Sequence, residues 1–214
     1  MKLVITLLTI AAAVQGADSD FLHWDAKRAN AIASAQRVAG DVGKNLDFRV
    51  IRTDRSINYK LRATWLTPDV IRACARLEQI KKALTDPQTV QLVAEAEAAG
   101  DTVILVEIDP REGSGVIPSD WTATLSPRSG PTVSARVSRG TSAPQLRNLP
   151  PLAGFGRRDY AYDIFWIVFS RQTETGEQLF RADDREAELM VRIYDKVGKV
   201  RWPIPESIRD RFSN

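Results

Sequence analysis

The chain reads as an α+β protein, with helices in its first half and an antiparallel, β-sandwich-like second half. Three observations predict this. Residues 67–84 and 86–100 carry apolar side chains at helical spacing behind cap signals. From Thr102 onward, short apolar alternations recur between prolines and glycines, the pattern of strands joined by turns. The hexapeptide Ile164-Phe165-Trp166-Ile167-Val168-Phe169 is apolar at every position, which suits a strand covered on both faces.

The first residues follow the grammar of a secretory signal peptide. Lys2 precedes an apolar run from Leu3 to Val14, and Gln15-Gly16 then gives way to Ala17-Asp18-Ser19-Asp20. The run is well short of the roughly 20 residues a membrane-crossing helix needs. Val14 and Gly16 are small enough for the minus-three and minus-one places of a signal peptidase pocket. Cleavage after Gly16 is therefore expected, with no stable membrane span afterwards. With no Asn-x-Ser/Thr site in the chain, a periplasmic or extracellular bacterial setting is favoured over a glycosylating one.

The chain then divides into the leader (1–16), an N-terminal part of helix, β-hairpin and helical hairpin (17–100), and a β-rich part (101–214) expected to form one cooperative unit with 45–100. Residues 21–39 are alanine-rich and read as a helix ending near Gly40 or Gly43. Leu46, Phe48 and Val50 alternate with polar residues, as do Tyr59, Leu61, Ala63 and Trp65, so the two runs predict a hairpin across Thr53-Asp54-Arg55-Ser56. Thr67-Pro68-Asp69 supplies a cap oxygen, a first-turn proline and an acid at the positive helix end; Asp86-Pro87 opens the next helix. Val70, Cys74, Leu77 and Leu84 share one stripe of the first of these helices, which makes the single cysteine a packing residue.

In the second half, Thr102–Ile108, Trp121–Leu125 and Val133–Val137 predict strands. Ala187–Ile193 is a further strand, returning through Val200 and Trp202 after a turn at Asp195-Lys196-Val197-Gly198, and Pro203–Phe212 reads as a short terminal helix. Residues 138–156 are too apolar for a tether and predict a long crossover lying on the sheet. The architecture is immunoglobulin-like by analogy of pattern, and that analogy carries no function.

Composition excludes more chemistry than it supports. The chain has 30 Lys and Arg against 27 Asp and Glu, a net charge of +3, which describes a solvated surface and makes no case for nucleic acid. One cysteine excludes an internal disulfide, and one histidine, His23, together with Cys74 falls short of a tetrahedral zinc set. Glu112-Gly113-Ser114-Gly115 lacks the lysine and spacing of a phosphate loop and reads as a turn. Asp109, Asp120, Asp163 and Asp183 sit on loops, without the spacing of a calcium loop. No catalytic residue and no cofactor is called for.

The densest constellation is Arg157-Arg158-Asp159-Tyr160-Ala161-Tyr162-Asp163, where guanidinium forks and phenols stand just before the doubly apolar strand. Those groups suit recognition of acidic and planar ligands, and they suit a structural ion-pair network equally. Of five tryptophans, Trp65, Trp166 and Trp202 sit in apolar alternation and are expected in the core, leaving Trp24 and Trp121 as exposed candidates. The candidate ligand-binding residues are thus Arg157, Arg158, Asp159, Tyr160, Tyr162, Asp163 and Trp121. Three functions follow in order: an exported, non-catalytic domain binding a protein or glycan partner; a small-ligand or glycan module using 157–163; and a hydrolase working through Asp159 and Asp163 or Asp109 and Asp120.

Overall fold

The computed structural model describes residues 19–43, 58–100, 102–110, 117–129, 132–133, 135–153 and 163–209. The leader-like segment, the Leu46–Val50 run, the Glu112–Gly115 turn and positions 157–162 lie outside the described residues.

Helix α1 (Ala26–Ala35) begins behind Asp25, whose carboxylate accepts from the Arg28 N–H at 2.7 Å. It is shorter than the 21–39 helix the alanines predict. The chain leaves it at Gln36 and continues as strand β1 (Arg37–Val42). The reason is tertiary: β1 lies between β2 (Tyr59–Trp65) and β10 (Lys196–Pro203), and a Cβ on Gly40 would come within 2.8 Å of a Val200 methyl. Alanine propensity is a weak prior against a full ladder to β2 and a further pair, Val42 with Gly198, to β10.

The two central helices form as the caps predict. In α2 (Pro68–Lys82) the Thr67 hydroxyl accepts from the Val70 N–H, and α3 (Asp86–Glu97) opens on a reciprocal capping box between Thr85 and Gln88. Cys74 is buried on the apolar stripe of α2; burial, with the Glu78 charge adding to it, pushes its thiol pKa up to about 12.

Ten strands make one antiparallel sheet, the others being β3 (Thr102–Pro110), β4 (Thr122–Ser129), β5 (Thr132–Val133), β6 (Ser138–Arg139), β7 (Thr141–Ser142), β8 (Asp163–Phe169) and β9 (Glu186–Ile193). Their order is β5-β4-β9-β10-β1-β2-β3-β8-β7, with β6 beside β4. Since β6 and β7 are one stretch of chain joined at Gly140, the sheet comes round until β4 and β8 share it as a neighbour. The result is a nearly closed barrel with helices on one side. The expected immunoglobulin-like sandwich is thereby corrected. Alternation reports that one face of a strand is buried; it is the same for two stacked sheets and for one sheet closed on itself.

Inward side chains fill the barrel. Tyr59, Leu61, Ala63 and Trp65 of β2 meet Ile104, Val106 and Ile108 of β3, Ile167 and Phe169 of β8, and Leu189, Val191 and Trp202 of the β9/β10 hairpin. Trp65 stacks edge-on to Trp202, ring centres 6.0 Å apart, and the Trp202 indole donates to the Gln36 carbonyl. The three tryptophans expected in the core are there.

A second cluster lies outside the barrel wall. Val103, Leu105 and Trp166 face α1 and α2, joined by Leu146 and Leu152 from two single helical turns, Pro144–Asn148 and Pro150–Leu152. These turns belong to the predicted crossover, and its leucines pack as expected. The doubly apolar strand β8 therefore divides its side chains between two interiors, odd positions inside the barrel and even positions under the helices.

Three smaller expectations are corrected. The Val133–Val137 alternation yields only the two-residue β5, with Ala135 and Val137 exposed. The β9/β10 turn lies at Tyr194 and Asp195, earlier than the expected Asp195–Gly198, and Tyr194 is its left-handed residue with φ 54°. Gly198 lies within β10, where a Cβ would stand 2.5 Å from the Asp41 carbonyl oxygen, so its role is close strand approach. The predicted 203–212 helix is described as α4 (Glu206–Arg209), the positions after 209 being outside the described residues.

Candidate functional site

An imperfect join in the barrel positions the site. Strand β4 carries Thr124 and Leu125 opposite Arg139 and Ser138, and β8 carries Val168 and Ile167 opposite Thr141 and Ser142. Beyond Ser142 only one further bond follows, from the Ala143 N–H to the Trp166 carbonyl at 2.8 Å. Pro144 then has no N–H to offer, and the chain turns outward. Between the start of β4 and the start of β8 no strand among the described residues continues the seam, and a cleft of about 1000 Å³ opens there.

Its lining is mixed. On one bank Trp121 and Ile117 precede β4; on the other Asp163, Ile164 and Phe165 begin β8. The Trp121 and Phe165 rings meet edge to face, centres 4.9 Å apart at 74°, and both are partly buried against the barrel core. Thr122, Thr124, Ser119 and Ser142 supply hydroxyls, while Arg139 and Arg192 supply guanidinium groups. Arg139 and Glu174 form a surface pair at 3.7 Å with both side chains about four-fifths exposed, a pair of the kind that contributes little. Arg192 is exposed and without an ion-pair partner among the described residues.

Gly140 holds the floor together. A Cβ there would stand 2.3 Å from Ile167 Cγ2 and 2.9 Å from the Phe169 ring. Only a residue without a side chain lets the seam strand lie this close over β8 while its N–H donates to the Ala123 carbonyl at 3.0 Å.

Of the residues singled out from sequence, Asp163 and Trp121 line the cleft from opposite banks. Arg157, Arg158, Asp159, Tyr160 and Tyr162 lie outside the described residues. Trp24, considered for an exposed role, is buried: its indole donates to Asp20 at 3.0 Å, its ring meets Phe21 edge-on, and Arg28 lies over it. His23 is exposed. The acidic loop residues do not gather: among the described residues no three His, Cys, Asp or Glu side chains converge on a point that could hold a metal ion. Asp184 instead is buried and accepts from the Arg136 guanidinium at 2.9 and 3.0 Å and from the Arg181 N–H at 2.7 Å.

Sequence reasoning missed Arg139, Arg192, Phe165 and the Gly140 floor. The Ser138-Arg139-Gly140-Thr141-Ser142 stretch offers a weak signal, a glycine amid small hydroxyl residues, which reads as loop until its two neighbours are known. Arg192 looks like any outward residue of an alternating strand.

Electrostatically, the outer face of β9 and β10 next to the cleft is held by one carboxylate. Glu188 is 3% exposed and accepts from Arg128 at 2.9 Å, Arg201 at 2.8 Å and Lys199 at 3.0 Å. Burial alone would push its carboxyl up; the hydrogen bonds from Lys199, Arg201 and Arg128 outweigh that and leave it below the ordinary carboxylate range. Comparison with protein-family models, with curated proteins and with solved structures finds no match for this chain.

Proposed function

We propose that the protein is an exported, non-catalytic interaction domain that takes its partner in the cleft at the barrel seam. The observation that carries this reading is the convergence of Trp121 and Asp163, from positions 42 residues apart in sequence, on one concavity large enough for a ligand of several residues. The leader grammar of Lys2 to Gly16 supports export, in a bacterial envelope or outside the cell. Among the described residues no helix is long and apolar enough to cross a membrane. A glycan platform is less favoured, since Trp24 is in the core and Trp121 spends an edge or face on Phe165.

A residue that fills the cleft without disturbing the core tests the reading. Ser142→Trp places an indole at an exposed lining position. The expected result is that soluble peptides and oligosaccharide fragments of the cell envelope which raise the melting temperature of the parent protein no longer do so for this variant. Shifts retained in full would show that binding happens elsewhere. Mass spectrometry of exported protein tests the first part: a chain beginning at Ala17 is expected, and a retained Met1 overturns it.

A further inference from the structure

Resting on that reading of the cleft, we infer that its occupant is an extended peptide segment of a partner protein, bound as the missing piece of the seam strand, with apolar side chains facing inward and acidic ones outward.

The backbone argues for a strand. In an antiparallel ladder, successive residues turn their N–H and C=O groups to opposite edges. The Trp166 carbonyl faces the seam, where Ala143 donates to it. Ile164, two positions earlier, therefore turns its N–H and C=O to the same edge, and the seam strand there has already ended: the described pairing on that side of β8 stops at Trp166. Strands of a sheet lie about 4.8 Å apart, so a seam that holds one strand over Ser138–Ser142 has the width for one strand where it continues. An incoming chain would pair with Ile164 and extend an interface the protein already builds with itself.

The side chains argue for its composition. Phe165 faces the barrel interior and Trp121 packs against it, so every second residue of the incoming strand meets an aromatic, apolar floor. The intervening residues emerge on the outer side, which carries Arg139 and Arg192. Both guanidinium groups are available, one in a loose surface pair and one with no described ion-pair partner. Charge complementarity therefore selects acidic residues at the outward positions. Asp163, on the opposite bank, opposes a uniformly acidic segment and favours acid toward the arginine side only.

Three synthetic probes test this on the full chain: a capped peptide alternating glutamate and valine, the same peptide N-methylated at alternate backbone positions, and one with lysine for glutamate. Binding is read by titration calorimetry and by hydrogen exchange at the Ile164 amide. The expected result is that the first peptide binds and slows Ile164 exchange, while the other two are weaker by about tenfold or more, since each lost backbone or charge-assisted bond contributes on the order of 1 kcal/mol. Arg192→Ala and Arg139→Ala should each weaken the first peptide by about two- to fivefold, the range of exposed ion pairs. Equal binding of the N-methylated peptide, or unchanged Ile164 exchange, overturns the strand inference. If no peptide binds but dodecyl sulfate, a small amphipathic anion, does so in a Ser142→Trp-sensitive way, the peptide is wrong and the cleft reading stands. Absence of any such binding by all four probes overturns both.

Discussion

Two walls of the barrel treat their outward faces in opposite ways, one covered by helices and one largely open to solvent. On the β3/β8 side, Val103, Leu105 and Trp166 turn outward into a second apolar cluster under α1, α2 and the crossover turns. On the β4/β9/β10 side the outward residues are hydroxyl-bearing and charged, and Glu188 sits among Arg128, Lys199 and Arg201. The first wall excludes water with hydrocarbon, whose contribution is set by area and nearly indifferent to pH. The second uses directional bonds that depend on protonation and are weakened where the cations reach solvent. The cleft between them takes its apolar floor from the barrel interior, through Phe165 and Trp121, and its cations from Arg139 of the seam strand and Arg192 of β9.

The largest expected effect tests the apolar wall. Trp166 is 8% exposed and its indole donates to the Leu152 carbonyl at 2.7 Å, tying the crossover to β8. Trp166→Ala should lower the stability by about 3–5 kcal/mol in urea unfolding, the usual range for emptying a large aromatic site. A loss below about 1 kcal/mol would mean that the helices are only loosely laid on the barrel.

The seam between the walls comes next. Gly140→Ala puts a methyl group into Ile167 and Phe169, and about 1–3 kcal/mol should be lost through overpacking. Hydrogen exchange at Gly140 and Ala143 should accelerate more than exchange in β9 and β10. Uniform acceleration would instead describe a global loss with no local seam.

The smallest effect tests the charged wall. Glu188→Gln should cost about 1.5 kcal/mol at neutral pH, the scale of hydrogen bonds to charged groups. Because the folded carboxyl titrates below its unfolded value, the unfolded state binds the proton first as pH falls. The stabilisation is complete above the ordinary glutamate range and disappears as pH drops through the lowered folded value. The parent protein should therefore lose stability more steeply in acid than the Gln variant, the two curves converging at low pH. Parallel curves would remove Glu188 as a source of that slope.

The legibility of these regions differs for a physical reason. Caps, prolines and helical spacing act within a few residues, so α2 and α3 were readable to within about three residues of their ends, and the two-sided burial of β8 followed from its uniform hydrophobicity. The end of α1 at Ala35 was not readable, because the ladder that claims Arg37–Val42 comes from β2, far along the chain, with Gly198 of β10 pairing Val42 on the other side. Trp121 and Asp163 could be suspected individually as an aromatic and an acid beside turns. Their meeting with Arg139 and Arg192 could not, since it depends on a join between strands far apart in the chain.

Local chemistry alone thus determined helices α2 and α3, the strands around Tyr59–Trp65, Thr102–Ile108, Ile164–Phe169 and Ala187–Ile193, the burial of Trp65, Trp166 and Trp202, and that the cysteine is a packing residue; it misplaced Arg37–Val42 and Trp24. Tertiary structure alone decided that the sheet closes into a barrel, that Gly140 lets a short strand stitch the closure, and that the stitch stops at Pro144. Hydrophobic period is a property of neighbouring residues, whereas closure is a property of which edges remain unpaired once all the others have found partners. The candidate site exists because, among the described residues, the seam pairing of β8 stops at Trp166.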